Sequence, residues 1–216
     1  MVNFFNVIEK SQTYLNMLYL LLSYPLGIFY FVFLVVGISL GFGLIITLAG
    51  IPLLILMTFL WYWIGLFEAR VTFKMLNINA NPEKSQAFKQ KTFLKKITTH
   101  FTQQITWKSL AYLLIKFPLG IISFILLVTL ISVSLALIVA PLFYYLAAYI
   151  PNVGFMVING VQVITRPWQT YIISLIGIIL LFVSMHILNW LAYISGLLAK
   201  TLLGESRLQK KKEVKK

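Results

Sequence analysis

The sequence predicts an all-α integral membrane protein of four transmembrane helices, arranged as two parallel helical-hairpin repeats with interfacial amphipathic helices on the cytoplasmic side. Three observations predict it. The 216 residues are 60% hydrophobic and 11% charged, with a mean hydropathy of +0.92, which is more apolar surface than one soluble core can hide. A short pattern is used twice, as YLLLSYPLGIFYF at 19–31 and YLLIKFPLGIISF at 112–124. Seventeen of the eighteen basic residues fall on one side of the four apolar stretches.

The repeat extends beyond those thirteen residues. Laid over 112–138 at a constant offset of 93, residues 19–45 match at 14 of 27 positions without a gap. The identities include Pro25/Pro118, Leu26/Leu119, Gly27/Gly120, Phe31/Phe124 and Ser39/Ser132. Apolar composition alone does not put Pro, Gly and Ser in register. Pro25, Gly27, Pro118 and Gly120 are therefore repeat-defining turn residues, and the chain divides accordingly. A single membrane domain is expected over 1–204, with repeat one at about 14–77, a linker carrying a basic amphipathic helix at 78–105, repeat two at about 106–204, and a basic cytoplasmic tail at 205–216.

Along the chain, residues 1–18 suit a short amphipathic surface segment, and no charge appears from Met17 to Ala49. A helix over those 33 residues would be about 50 Å long, against about 30 Å of hydrocarbon. Proline disfavours helix in its predecessor and favours the first helical position, so the expectation is that Pro25 and Pro118 begin spans 1 and 3. Lys116, two residues before Pro118, would then stay at the interface. The alternative is a proline kink within one long tilted helix.

Span 1 is expected at about 25–49, with Gly37 and Gly41 at GxxxG spacing. Ser132, Ser134 and Ala136 answer in the second copy, as small faces for packing within the bundle or between protomers of a homo-oligomer. Gly50, Ile51 and Pro52 make an outer turn into span 2, about 53–67 and continuing towards Asn77, where Trp61, Tyr62 and Trp63 approach an interface. In the linker, Ala87, Leu94, Ile97, Phe101 and Ile105 form a helical stripe, with Lys89, Lys91, Lys95 and Lys96 mostly elsewhere on the wheel. Span 3 follows at about 118–140, and Tyr144, Tyr145 and Tyr149 suit an outer aromatic belt. Residues 151–170 are an external loop with Arg166 as an interface anchor, and span 4 covers about 171–198.

The charge count orients the chain. Lys10 precedes span 1, nine basic residues lie between spans 2 and 3, and seven follow span 4, which puts both termini in the cytoplasm of a cell-membrane protein. The net charge of +13 is explained by this topology, so nucleic acid is not an expected partner. The N-terminus lacks the basic opening and cleavage site of a signal peptide.

Little chemistry is available. Cysteine and aspartate are absent, and the acids are Glu9, Glu68, Glu83, Glu205 and Glu213. There is no HExxH, P-loop, GxSxG or dinucleotide fingerprint, so no enzyme, metal or cofactor is expected. His186, Asn189 and Tyr193 share one helical face mid-span and form a candidate polar intramembrane site, either as a proton-sensitive switch or as part of a binding site. The plainer reading is a neutral imidazole bonded to Thr129, Ser132 or Ser134. Glu68, Arg70 and Lys116 are expected as cytoplasmic interface charges, with Glu68 paired to Arg70, Lys108 or Lys116.

Residues 19–56, YLLLSYPLGIFYFVFLVVGISLGFGLIITLAGIPLLIL, and 106–145, TWKSLAYLLIKFPLGIISFILLVTLISVSLALIVAPLFYY, together resemble the prokaryotic putative sensor domain family. That family is a four-helix membrane module common at the N-terminus of two-component sensor histidine kinases and also found alone. The resemblance spans about 14–200, and the paired PLGI and the GIP turn are its most specific parts. It implies signal input from the membrane or cell envelope, and it brings no ligand-binding residues with it. The kinases continue into a dimerisation helix, a phosphoacceptor histidine and an ATP-binding domain, whereas a short basic segment follows Leu203 here. The expected function is a non-enzymatic sensor-like or accessory protein that couples a stimulus to a separate cytoplasmic or membrane signalling partner. The alternative is a small transporter or channel subunit with a polar site between the repeats.

Overall fold

The computed structural model describes residues 9–90, 92–148, 157–158, 161–162 and 166–205. Four long helices dominate it: α1 (Ser11–Gly43), α2 (Gly50–Met75), α4 (Gln104–Ile138) and α6 (Pro167–Leu203). Between them lie the shorter α3 (Phe93–Thr102) and α5 (Ala140–Ala148), and a minimal antiparallel pair β1 (Val157–Ile158) and β2 (Val161–Gln162). All four long helices are long and apolar enough to cross a membrane. Their outward faces carry large apolar residues such as Phe29, Phe42, Phe67 and Trp190, while serine, threonine, glutamate and lysine are buried between them. That distribution is the reverse of a soluble bundle and suits lipid on the outside.

Pro25 and Pro118 lie inside α1 and α4, and neither begins a span. The reason the expectation fails is visible at Lys116. Its charge does not need the interface, because it is 3% exposed and paired inside the protein, so the helix has no cause to break ahead of Pro118. A proline within a membrane helix is tolerated where neighbouring groups and helices support the local backbone. Beside Pro25, Ser23 donates its hydroxyl to the Tyr19 carbonyl at 2.8 Å.

The two PLGI motifs are where α1 and α4 cross. A methyl group on Gly27 would lie 3.0 Å from the Lys116 carbonyl oxygen and 3.1 Å from the Phe117 Cα. One on Gly120 would lie 2.5 Å from the Ser23 carbonyl oxygen and 3.2 Å from the Tyr24 Cα. The contacts are reciprocal at the offset of 93. Flanking rings repeat the pattern: Tyr24 stacks on Phe124 with centroids 4.5 Å apart, and Phe117 on Phe31 at 4.3 Å.

Gly37 and Gly41 face α2, against Met57 and Leu54 respectively, so the small-residue face of α1 is used within the bundle. Ser134 of α4 similarly meets Ser184 of α6 at 3.4 Å. The connection from α1 to α2 is a 3₁₀ turn, Leu44–Thr47, ending at Leu48 with φ 61°. Gly50 follows with its Cα so close to the Gly41 carbonyl that any side chain would collide with backbone. Ile51 and Pro52 already belong to the first turn of α2.

The linker stripe is divided among three elements. Ala87 lies in a 3₁₀ turn, Gln86–Lys89, while Leu94, Ile97 and Phe101 lie in α3 and Ile105 in α4. Leu94 is 72% exposed, and among the described side chains of α3 the one buried completely is His100. The break before α4 is held by Gln103, whose side-chain oxygen accepts from the Ser85 hydroxyl and the Gln86 backbone N–H. Tyr149, most of the 151–170 loop and the tail from Ser206 onward lie outside the described residues.

Candidate functional site

A polar stripe runs along the first turns of α1: Gln12, Thr13, Asn16, Tyr19 and Ser23 recur at intervals of one, three and four residues, on one helical face. It connects two features at the same end of the bundle. One is a buried ion pair, and the other is a cavity.

The ion pair joins α2 to α4. Lys116 Nζ lies 2.8 Å from Glu68 Oε1, and both side chains are buried. Every strong group around them is engaged. Tyr30 donates to Glu68 Oε2 at 2.8 Å, Thr72 donates to Oε1 at 3.2 Å, and Lys116 donates to the Tyr19 hydroxyl at 2.6 Å with its ammonium 4.2 Å from that ring's centroid. Tyr19 in turn meets Thr72 at 3.2 Å. Tyr112, the counterpart of Tyr19 in the repeat, is 1% exposed and lines a small void with Tyr19, Ser23, Lys116, Ser123 and Ser195. Such a network is what a charge needs inside a low-dielectric bundle, since desolvation costs several kcal/mol per ion unless partners replace the lost water (~20 kcal/mol in the idealised limit). Of the three charges expected at the interface, Glu68 and Lys116 are brought together and buried, and Arg70 is exposed.

The cavity, about 230 Å³, is lined by Asn16 of α1, Leu76 and Ile78 after α2, and Asn189, Tyr193, Gly196 and Lys200 of α6. Asn16 Nδ2 donates to Asn189 Oδ1 at 2.9 Å and Asn189 Nδ2 to Thr13 Oγ1 at 3.2 Å. Gln12 Nε2 closes the chain, reaching Asn16 Oδ1 and the Met75 carbonyl, both at 2.8 Å. The structure therefore places Asn189 and Tyr193 on the cavity and His186 elsewhere, with its Nδ1 2.9 Å from the Phe182 carbonyl one turn back on α6.

His100 carried no signal in the sequence beyond being one of two histidines. Its Nε2–H donates to the Thr58 carbonyl at 3.0 Å, and its ring stacks on Phe59 at 4.3 Å and meets Tyr62 edge-on at 5.5 Å. Burial holds its pKa below the ordinary histidine value; the bond to Thr58 acts in the opposite sense, and Lys96 adds to the lowering. The backbone also ties the linker to the far end of α6. Glu83 N–H donates to the Leu203 carbonyl at 2.8 Å, Glu205 N–H to the Asn81 carbonyl at 2.9 Å, and Pro82 bridges Gly204.

Four apolar helices around a buried ion pair define a polytopic membrane protein whose polar groups serve its interior. Among the described residues no cluster of potential metal ligands occurs. The family model described as "Putative sensor" matches residues 19–203, and the chain belongs to that family. No curated protein and no solved structure matches it.

Proposed function

We propose that the chain is a non-enzymatic sensor of a prokaryotic cytoplasmic membrane, with both termini cytoplasmic, that couples a membrane or envelope stimulus to a separate partner protein. The observation that carries this reading is the Glu68–Lys116 pair, which joins the first hairpin to the second. A buried ion pair is a weak source of stability compared with apolar packing, and its best-attested use is to specify one arrangement over another. A signalling module needs such an element, because a stimulus acts only through a difference in its interaction with two states.

The reciprocal Gly27 and Gly120 contacts support two parallel hairpins related by an axis along the membrane normal. Movement about that axis would strain the ion pair and the backbone clamp between the linker and α6 together. The linker and α3, basic and joined to the clamp, are the surface we assign to the partner and to anionic lipid. A transport path between the hairpins is disfavoured by the stacked Tyr24–Phe124 and Phe31–Phe117 rings and the backbone contact between them.

Photo-crosslinkers at exposed linker positions such as Gln90 and Lys95, introduced one at a time in native membranes, test the reading. It expects one protein to be captured, with a yield that changes when Glu68→Gln removes the charge. Capture of nothing but lipid at every position, or a yield indifferent to Glu68→Gln, would count against it.

A further inference from the structure

We propose that the 230 Å³ cavity between α1, α6 and the α2–linker junction is a binding site for a phosphate oxyanion borne on an amphiphile, the headgroup of an anionic phospholipid being its natural source. The inference deepens the sensor reading by giving it a ligand class, and it rests on that reading only for what binding would signal.

The lining divides into a donor side and an apolar side. Asn16 and Asn189 each commit one amide N–H to the chain that joins them and Thr13, and a carboxamide carries two. Each has one N–H without a hydrogen bond among the described residues, on a side chain that lines the cavity. Each oxygen already accepts one bond, Asn16 Oδ1 from Gln12 and Asn189 Oδ1 from Asn16, so the chain fixes the orientation of both carboxamides. The Tyr193 hydroxyl adds a third donor, and Lys200 supplies a positive charge from an exposed position without an ion-pair partner among the described residues. Among the described residues no carboxylate lines the cavity. A site of N–H and O–H donors with one cation and no acid favours an anion and rejects a cation.

Leu76, Ile78, Ala192 and Leu197 form the rest of the wall, which suits the glycerol and the first carbons of a chain. At this volume the site falls below the range of about 300–1,000 Å³ usual for drug-sized ligands, which fits a headgroup rather than a larger solute. The exposed apolar faces of α1 and α6 beside it, including Leu15, Leu18, Trp190 and Leu197, leave it open towards lipid. Its position also gives it a route to the output end: Ile78 packs against Gly196, and four and five residues further on the linker is clamped to Gly204 and Leu203.

The test is native mass spectrometry of the full chain, released from nanodiscs containing phosphatidylcholine alone or mixed equally with phosphatidylglycerol, with glycerol 3-phosphate titrated in a separate arm. Retained phosphatidylglycerol is expected at one per chain, reduced at least fivefold by Lys200→Gln, restored by Lys200→Arg, and unchanged by Lys74→Gln, which removes an exposed lysine that does not line the cavity. Lys200→Gln removes no side-chain hydrogen bond or ion pair found among the described residues. Glycerol 3-phosphate bound with the same dependence on Lys200 would support the oxyanion site and assign a soluble source. Equal retention of phosphatidylcholine, or retention indifferent to Lys200→Gln, would overturn the site. Because purified protein suffices, failure here together with regulated partner capture would remove the ligand class and leave the sensor reading standing.

Discussion

Replacing Lys116 with methionine should destabilise the protein far more than replacing Lys116 and Glu68 together. The lysine's removal strips Glu68 of the ammonium at 2.8 Å and leaves its carboxylate buried with the hydroxyls of Tyr30 and Thr72 alone. Two unit charges at that distance attract by about 6 kcal/mol at an effective dielectric of about 20, and most of this offsets desolvation. The loss expected from the single substitution is the penalty of an orphaned buried charge, about 3–5 kcal/mol, or a factor of about 10² to 5 × 10³ in the folding equilibrium. Lys116→Met with Glu68→Leu removes the orphan and should recover most of that loss, since apolar replacements of buried pairs are often neutral or better. Equilibrium unfolding in mixed detergent micelles, run as a double-mutant cycle, measures the coupling. A single variant within about 1 kcal/mol of wild type, or a double variant as costly as the two singles summed, would refute the account of the pair as mutually dependent.

Four further substitutions probe the rest of the architecture. Gly120→Ala should cost about 1–3 kcal/mol by forcing α4 off the Ser23 backbone, whereas Gly43→Ala, with nothing within 4 Å of the added methyl, should be silent in the same unfolding assay. Asn189→Ala should cost about 0.6 kcal/mol, and at most about 1.7, as interhelical polar contacts in membranes do, and should leave the His186–Phe182 contact intact. The depressed pKa of His100 means that the folded state binds fewer protons than the unfolded one, so its contribution is complete above about pH 6.5 and fades as pH falls, by at most about 1.4 kcal/mol per pH unit. Protease sensitivity of the linker should rise on acidification in wild type and rise less in His100→Gln; equal responses would remove His100 from the explanation.

How much of this was legible differs from residue to residue. The PLGI repeat was visible because identity at a constant offset needs no knowledge of three dimensions. Its meaning was not, because a proline followed by leucine and glycine serves equally to start a helix or to let another backbone come close. The decision rests on what faces Gly27, and that is Lys116 and Phe117 from 89 and 90 positions away. Lys116 itself was placed at a membrane surface because an unpaired ammonium belongs there. Pairing with Glu68 was among the expected partners, but its complete burial depended on Tyr19 and Tyr30, contributed by a third helix. The small cavity and the amide chain of Asn16 and Asn189 join residues 173 positions apart, and neither asparagine announces the other. His100 was hidden for the same reason, since its environment is made by Thr58, Phe59 and Tyr62.

The sequence by itself determined the solvent, the number of spans and the repeated unit, since hydropathy and periodicity are properties of neighbouring residues and the bilayer imposes a fixed length. Only the tertiary structure decided that the prolines lie within helices, that a glutamate and a lysine sit inside the bundle as a pair, and that a polar cavity opens beside α6. The physical reason is that a charge or amide in an apolar bundle is settled by its partners. Those partners come from helices that meet only when the chain has folded.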